Sequence, residues 1–475
     1  MSRKILTPVF VGLTLIVVIG VAWWRAEATR RQVSAIVPIL PDLAGLPTPL
    51  RDRLLSADAR ARGLLHASQG LVELSRLYHA NGFPDEAARC YRGLSQLDPE
   101  NPRWLHLLAG IQAGYGEMEP ALALWSRVRK LAPEYVPAWL RSGDSLLKAN
   151  RREEAAAMYE GALRLEPDNP YAQWGLARLD FEAGRWEQAR SRLEGVVAKT
   201  HYTLGYDLIV TLYERLGLTD RAAAIRARGK ASGAYRDPPD PWLDELIEDC
   251  LEPYRLSLTA GMLARTGDSA SALRLLQRAV SVDPDDVAVR FQLGSLLQQQ
   301  NQLAAALQEF EECTRLAPEF PDGWANLSAL LAQQDRQSAA ERALVDGLRH
   351  CPDSPGLHLM RARTHRSAGR TSEAIAEYRE SIRLRPNEGD TGVELGMFYI
   401  SLGRNDEAIS AVSHALEAEP GHPLAMFILA FNAITSGSEA DARAWLARVR
   451  AQPRVEAAQL NRLVATYQKR FGVAP

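Results

Sequence analysis

An excess of one sign of charge is missing from this chain: 56 lysines and arginines stand against 58 aspartates and glutamates, a formal net charge of −2 over 475 residues. A polyanion meets no attracting field, so no nucleic-acid partner is expected. Cysteine is scarce. Cys90, Cys250, Cys313 and Cys351 form no CxxC pair, no CxxCH haem-attachment pattern and no metal-ligand spacing with histidine. Small buried thiols are expected, a Cys313–Cys351 disulfide being the alternative. Catalytic signatures are missing as well: there is no HExxH, no GxxxxGK[ST], no strand-led GxGxxG and no GxSxG. No enzyme and no cofactor are expected from these absences.

One long apolar run is present. After the tail at 1–4, residues 5–24 (ILTPVFVGLTLIVVIGVAWW) carry no charge. At about 1.5 Å per residue such a helix spans roughly 30 Å, the thickness of a bilayer's hydrocarbon. Trp23 and Trp24 stand where an interfacial aromatic belt belongs, followed by Arg25, Arg30 and Arg31. The segment reads as a transmembrane signal-anchor in contact with lipid. Ala26-Glu27-Ala28 has the small-x-small form of a cleavage site, which leaves a processed, secreted form as the alternative. Orientation is not settled by charge, because Arg3 and Lys4 oppose the three arginines beyond the span. Residues 25–67 hold Pro38, Pro41, Pro47 and Pro49 and predict an extended stalk leading into a solvated helix.

The rest of the chain is periodic. Prolines at 99, 133 and 167, and again at 284, 318, 352, 386 and 420, are 34 residues apart. With each proline set as position 32 of a unit, position 20 is alanine throughout: Ala87, Ala121, Ala155, Ala189 and Ala223, then Ala272, Ala306, Ala340, Ala374, Ala408 and Ala442. Position 8 is always small, as in Ser75, Ala109, Gly143 and Ala177. Position 15 is Gly, Asn or Asp except at Leu218. Residues that tolerate a left-handed backbone end a helix there. Small residues at 8 and 20 let two antiparallel helices approach closely. The proline stops the second helix, and the Asp or Asn after it can cap the next.

These columns resemble the tetratricopeptide repeat, whose small residue at 8, alanine at 20, aromatic at 24 and proline at 32 all appear in AWLRSGDSLLKANRREEAAAMYEGALRLEP (138–167). The resemblance implies an all-α fold: a right-handed superhelical solenoid of about eleven helical hairpins in two blocks, behind the N-terminal transmembrane helix. Block 1 covers 68–228 with five repeats, the fifth degenerate, and block 2 covers 253–452 with six. Residues 229–252 read as a joint between blocks, and 453–475 as a C-terminal capping helix that covers the last stacking face.

A repeat array of this kind binds proteins, so the chain is expected to be a non-catalytic, membrane-tethered scaffold or assembly factor. Groove-facing positions in such arrays are 2, 5, 9 and 12. In the fourth unit these are Tyr171, Trp174, Arg178 and Phe181, an apolar floor with one guanidinium; Trp174 packed inside the core is the competing expectation. Arg363 and Arg366 in a basic run offer a second site, for a partner's carboxylates. Leu424, Phe427, Phe431 and Ile434 make the last unit's groove face apolar, to be covered by the terminal helix or by self-association.

The joint carries Asp240, Asp244, Glu245, Glu248 and Asp249 around Trp242. A divalent cation held there would make the chain a metal-dependent enzyme or a regulatory subunit. The plainer expectation is solvated acids offsetting a helix dipole, with Trp242 and Tyr254 packed between blocks. The stalk PILPDLAGLPTPL and the joint DPPDPWLDEL also resemble bacterial membrane-anchored repeat proteins that face outside the cytoplasm. That resemblance implies an inner-membrane protein with periplasmic repeats; a cytoplasm-facing adaptor of a protease or envelope-synthesis complex is the alternative.

Overall fold

The structure is a computed structural model that describes residues 6–200, 202–232, 238–452 and 457–474, with side chains from Val18 onward except at 203, 229–232 and 457. Among the described residues every regular element is a helix. The chain divides into two compact units, Met1–Leu296 and Leu297–Pro475.

In the first unit α1 (Leu6–Ile36) and α2 (Thr48–Arg62) precede the repeats. Hairpins follow from α3 (Ala67–Ala80) with α4 (Pro84–Leu97), α5 (Pro102–Gly114) with α6 (Met118–Leu131), and α7 (Val136–Lys148) with α8 (Arg152–Leu165). Next come α9 (Pro170–Glu182) with α10 (Trp186–Lys199), and α11 (Thr203–Arg215) with α12 (Thr219–Ser232). A single-turn helix α13 (Pro241–Asp244) runs into a 3-10 turn at Glu245–Asp249, and α14 (Pro253–Arg265) pairs with α15 (Ser269–Val282). Helix α16 (Val287–Gln299) spans the boundary.

The second unit begins with α17 (Leu303–Leu316). It continues with the pairs α18 (Pro321–Gln333) and α19 (Gln337–His350), α20 (Pro355–Ser367) and α21 (Thr371–Leu384), α22 (Gly389–Ser401) and α23 (Asn405–Ala418), and α24 (Pro423–Ser436) and α25 (Glu439–Arg450). Helix α26 (Ala457–Phe471) packs on α24 and α25, burying Leu463 and Tyr467 completely.

The columns act as the sequence predicts. Asn150, Asn301 and Asp335 take φ of 58°, 59° and 57°, and glycines hold the equivalent left-handed turn in the other units. After the corner prolines, the Asn101 side chain accepts from the Arg103 N–H, and Asn169 accepts from Tyr171 and Ala172. The fifth unit departs by one residue. Gly217 (φ 70°), not Leu218, makes the turn, and Ala222, not Ala223, is the buried alanine. The link from α10 to α11 lacks the corner proline and is one residue shorter, so the whole unit shifts register.

The stalk expectation is corrected. Helix α1 runs without a break through Ile36, and its end docks on α3 and α4 with Val33 fully buried and Val37 nearly so. A Cβ on Gly93 would lie only 2.1 Å from Ile36, so a glycine is needed where α1 crosses α4. Helix α2 is not a solvated helix: Leu50, Leu54, Ala57 and Ala61 are fully buried against α3. It covers the apolar stacking face that the first hairpin would otherwise expose to water.

The expected anchor at 5–24 falls partly outside the described residues. Among those described, no helix is long and apolar enough to cross a membrane. Val18, Ile19, Val21, Trp23 and Trp24 are all exposed on α1. All four cysteines are free thiols, so the Cys313–Cys351 disulfide is absent.

Candidate functional site

The first helices of the hairpins in the first unit line one groove, and the segment expected to be a joint lies inside it. Asp240, 2 % exposed, accepts from His106 Nε2 at 2.8 Å and from the Tyr135 hydroxyl at 2.6 Å, with the Arg141 guanidinium 3.8 Å away. Trp242 stacks on Tyr135 with ring centres 3.6 Å apart, and the His106 ring meets it edge-on at 5.6 Å. The Trp242 amide donates to the Tyr135 oxygen.

Farther along, Glu245 pairs with Arg103 at 2.7 Å, and Asp249 accepts from Arg53 at 2.9 Å and Arg76 at 2.6 Å. Asn81 grips the main chain in both directions: its amide donates to the Asp249 carbonyl at 2.9 Å, and its carbonyl accepts from the Leu251 N–H at 2.6 Å. Arg278 on α15 holds Glu248, and Arg255 on α14 donates to the Ala80 carbonyl.

Asp244, Glu245 and Glu248 are exposed, as solvated acids would be, whereas Asp240 is buried and Asp249 half-buried; Trp242 packs on Tyr135 and His106 instead of between blocks, and Tyr254 is 69 % exposed. Each carboxylate has a different partner, Asp244 accepting from the Asp240 N–H. Among the described residues no three His, Cys, Asp or Glu groups gather as a metal ion would require. Burial opposes the charge on Asp240, but the bonds from His106 and Tyr135 and the charges of His106 and Arg141 outweigh it and hold its carboxyl below the usual range.

Beside this segment, a strap formed by residues 238–251, the groove keeps a cavity of about 710 Å³, lined among others by Trp174, Arg178, Lys148 and Tyr202. The Trp125 and Trp174 indole nitrogens and His106 Nδ1, from three residues that line it, are buried without a hydrogen-bond partner.

Of the residues expected to face a groove, Trp174 is 9 % exposed and meets Tyr202 edge-on at 5.4 Å. Arg178 lies over the Trp174 ring and pairs with Glu182 at 3.2 Å. Tyr171 and Phe181 are half-buried against the α9–α11 core, Phe181 under the Arg215 guanidinium. In the second unit Arg363 and Arg366 converge on Glu394 at 2.6 and 3.0 Å, and Tyr378 donates to the same carboxylate. An internal acid already occupies that fork. In the last repeat Ile434 is buried and Phe427 half-buried, while Leu424 and Phe431 stay exposed.

Sequence reasoning missed Arg76, Asn81, Arg103 and His106. The signal existed: Arg103 and His106 are positions 2 and 5 of the second unit, and Arg76 is position 9 of the first, the same groove positions read in the fourth.

Tetratricopeptide repeat models match residues 146–203, 263–325, 325–389 and 399–467, together more than half of the chain. This chain is a tetratricopeptide repeat protein. It is 24 % identical over 322 residues, 55 % of its length, to cellulose synthase operon protein C of Xanthomonas axonopodis pv. citri (strain 306), and spans about a fifth (21 %) of that relative. Among solved structures, yeast Tom70 aligns over 85 % of this chain and 96 % of its own at 13 % identity and a TM-score of 0.39. MamA aligns over 34 % of this chain and 94 % of its own at 21 % identity and a TM-score of 0.30. A thermophilic repeat protein of Thermus thermophilus aligns over 35 % and 92 % at 25 % identity and a TM-score of 0.30. The candidate site is the groove of the first unit, on the contacts described above.

Proposed function

We propose that this chain is a non-catalytic, membrane-tethered scaffold or assembly factor that receives a protein segment in the groove of its first unit. The observation that carries this is the groove itself. It grips a peptide main chain through Asn81 and side chains through Arg76, Arg103 and His106, and still keeps an aromatic, cationic cavity beside them. Trp174, Arg178 and Tyr171 supply the wall of that cavity and its support; Phe181, Arg363 and Arg366 are proposed only as secondary contacts, since each is engaged internally.

Tethering rests on the uncharged run at 5–24 and on the exposed apolar residues from Val18 to Trp24, which water disfavours and lipid accepts. Similarity to cellulose synthase operon protein C supports a place beside a polysaccharide-synthesis apparatus, and the resemblance of the stalk and joint to membrane-anchored repeat proteins supports repeats on the outer side of the inner membrane. A reporter fused at residue 475 tests the orientation: export-dependent activity is expected, and a cytoplasmic signal contradicts it. For the binding role, proteins co-purifying from membranes with the wild type are compared with those retained by Arg178→Glu. Loss of a specific protein is expected; an unchanged set overturns the groove assignment.

A further inference from the structure

Residues 238–251 behave as a bound peptide would. Their regular structure is one helical turn and one 3-10 turn, and no hairpin partner completes them. Their apolar anchorage is modest: Pro238, Leu246 and Cys250 are buried and Trp242 and Ile247 half-buried, whereas Leu243 is 36 % exposed. The hold comes from other sources. Cations on four helices of the unit, Arg53 on α2, Arg76 on α3, Arg103 on α5 and Arg141 on α7, meet Asp249, Glu245 and Asp240 in turn. Tyr135 and His106 form a slot for one indole, and Asn81 reads the backbone whatever its sequence.

We propose that this segment is an exchangeable internal ligand, and that the groove's external partner is an acidic protein segment with an aspartate two residues before an aromatic and a second acid farther on. The proposal rests on the groove function given above and adds the partner's chemistry and the means by which access is controlled. An apolar core contact is lost only with unfolding. Ion pairs, one stack and two main-chain hydrogen bonds can instead be supplied equally well by a second chain, and salt screens the ion pairs.

The geometry also says why an outside segment would win. The resident strap leaves the Trp125 and Trp174 indole N–H groups and His106 Nδ1 without partners. A partner continuing past the Asp240 position into the 710 Å³ cavity would bring carboxylates to the Lys148 and Arg178 cations that line it. The strap is thus an incomplete occupant. Trp242 and Asp240 are both held by Tyr135 and His106, and weakening them should open the groove without touching its walls.

The probe is a fluorescent peptide of residues 238–251, titrated by anisotropy against the full chain and against the Asp240→Asn, Trp242→Ala double variant. The variant should bind the peptide at least about tenfold more tightly than the wild type, because its own strap competes poorly. Binding should weaken between 50 and 500 mM NaCl, values chosen to span about 14 Å to 4 Å of screening length. A peptide with the same two replacements should not bind. Equal or absent binding to a variant with unchanged circular dichroism and melting overturns the proposal. If the variant does not fold, hydrogen exchange on the wild type decides. The Leu251 amide should exchange faster than the core of α5, and faster again with unlabelled peptide; protection equal to α5 and indifferent to peptide overturns it. Loss of a co-purifying protein from Arg178→Glu together with failure of the peptide would leave the scaffold standing and remove only the exchange.

Discussion

Tyr159 shows how single residues carry this fold. It is fully buried, its hydroxyl donates to Asp144 at 2.7 Å, and its ring lies between Gly143 and Gly175, where an added Cβ would come within 2.7 and 2.4 Å. Gly175→Ala should therefore cost about 1–3 kcal/mol in urea unfolding, since the ring has no room to yield. His79 has the opposite kind of constraint. Burial, helped by the Arg255 charge, lowers its pKa to about 4 from 6.5. The unfolded chain then takes up the proton first, so this residue's contribution is intact above pH 6.5 and is lost as pH falls toward 4. His79→Gln should flatten the fall of Tm across that window. Asp240 acts lower: its folded pKa is depressed below 3.8, so its contribution is intact above that value and fades as pH falls through the folded pKa.

At the scale of helices, what was legible in the sequence is what repeats. A glycine or asparagine every 34 residues reports a turn, an alanine reports a close crossing and a proline reports a corner. Each needs only local sterics, and eleven copies average out exceptions. The one-residue slip in the fifth unit was not legible because Leu218 and Ala223 each have a suitable neighbour, Gly217 and Ala222, and only packing chooses between them. Single-copy elements were harder. Pro38 and its neighbours do mark a break, but nothing local says that Val33 finds a pocket on α3 and α4. The strap depends on pairs such as Arg103 with Glu245 and Arg53 with Asp249, 142 and 196 residues apart, and local patterning cannot show these. The end elements act as lids on the stack. Truncating Leu463 to alanine in α26 should cost about 2–5 kcal/mol, and its unfolding should be seen first in the last repeat by hydrogen exchange.

The molecule as a whole is a tetratricopeptide array in two compact units, and its proposed role follows from where its chemistry is spent. Arg363 and Arg366 share the Glu394 carboxylate, and Asp240, Glu245, Glu248 and Asp249 of the strap each meet a cation. The groove of the first unit combines a main-chain clamp, an indole slot and room beside them. Photo-crosslinking in intact membranes, from a probe at Lys148 or Arg178 on the groove and from controls at the exposed Arg127 and Arg164 on the second helices, tests this most directly. The account predicts a discrete protein adduct from the two groove positions and none from the controls. Adducts from the second helices alone would contradict it.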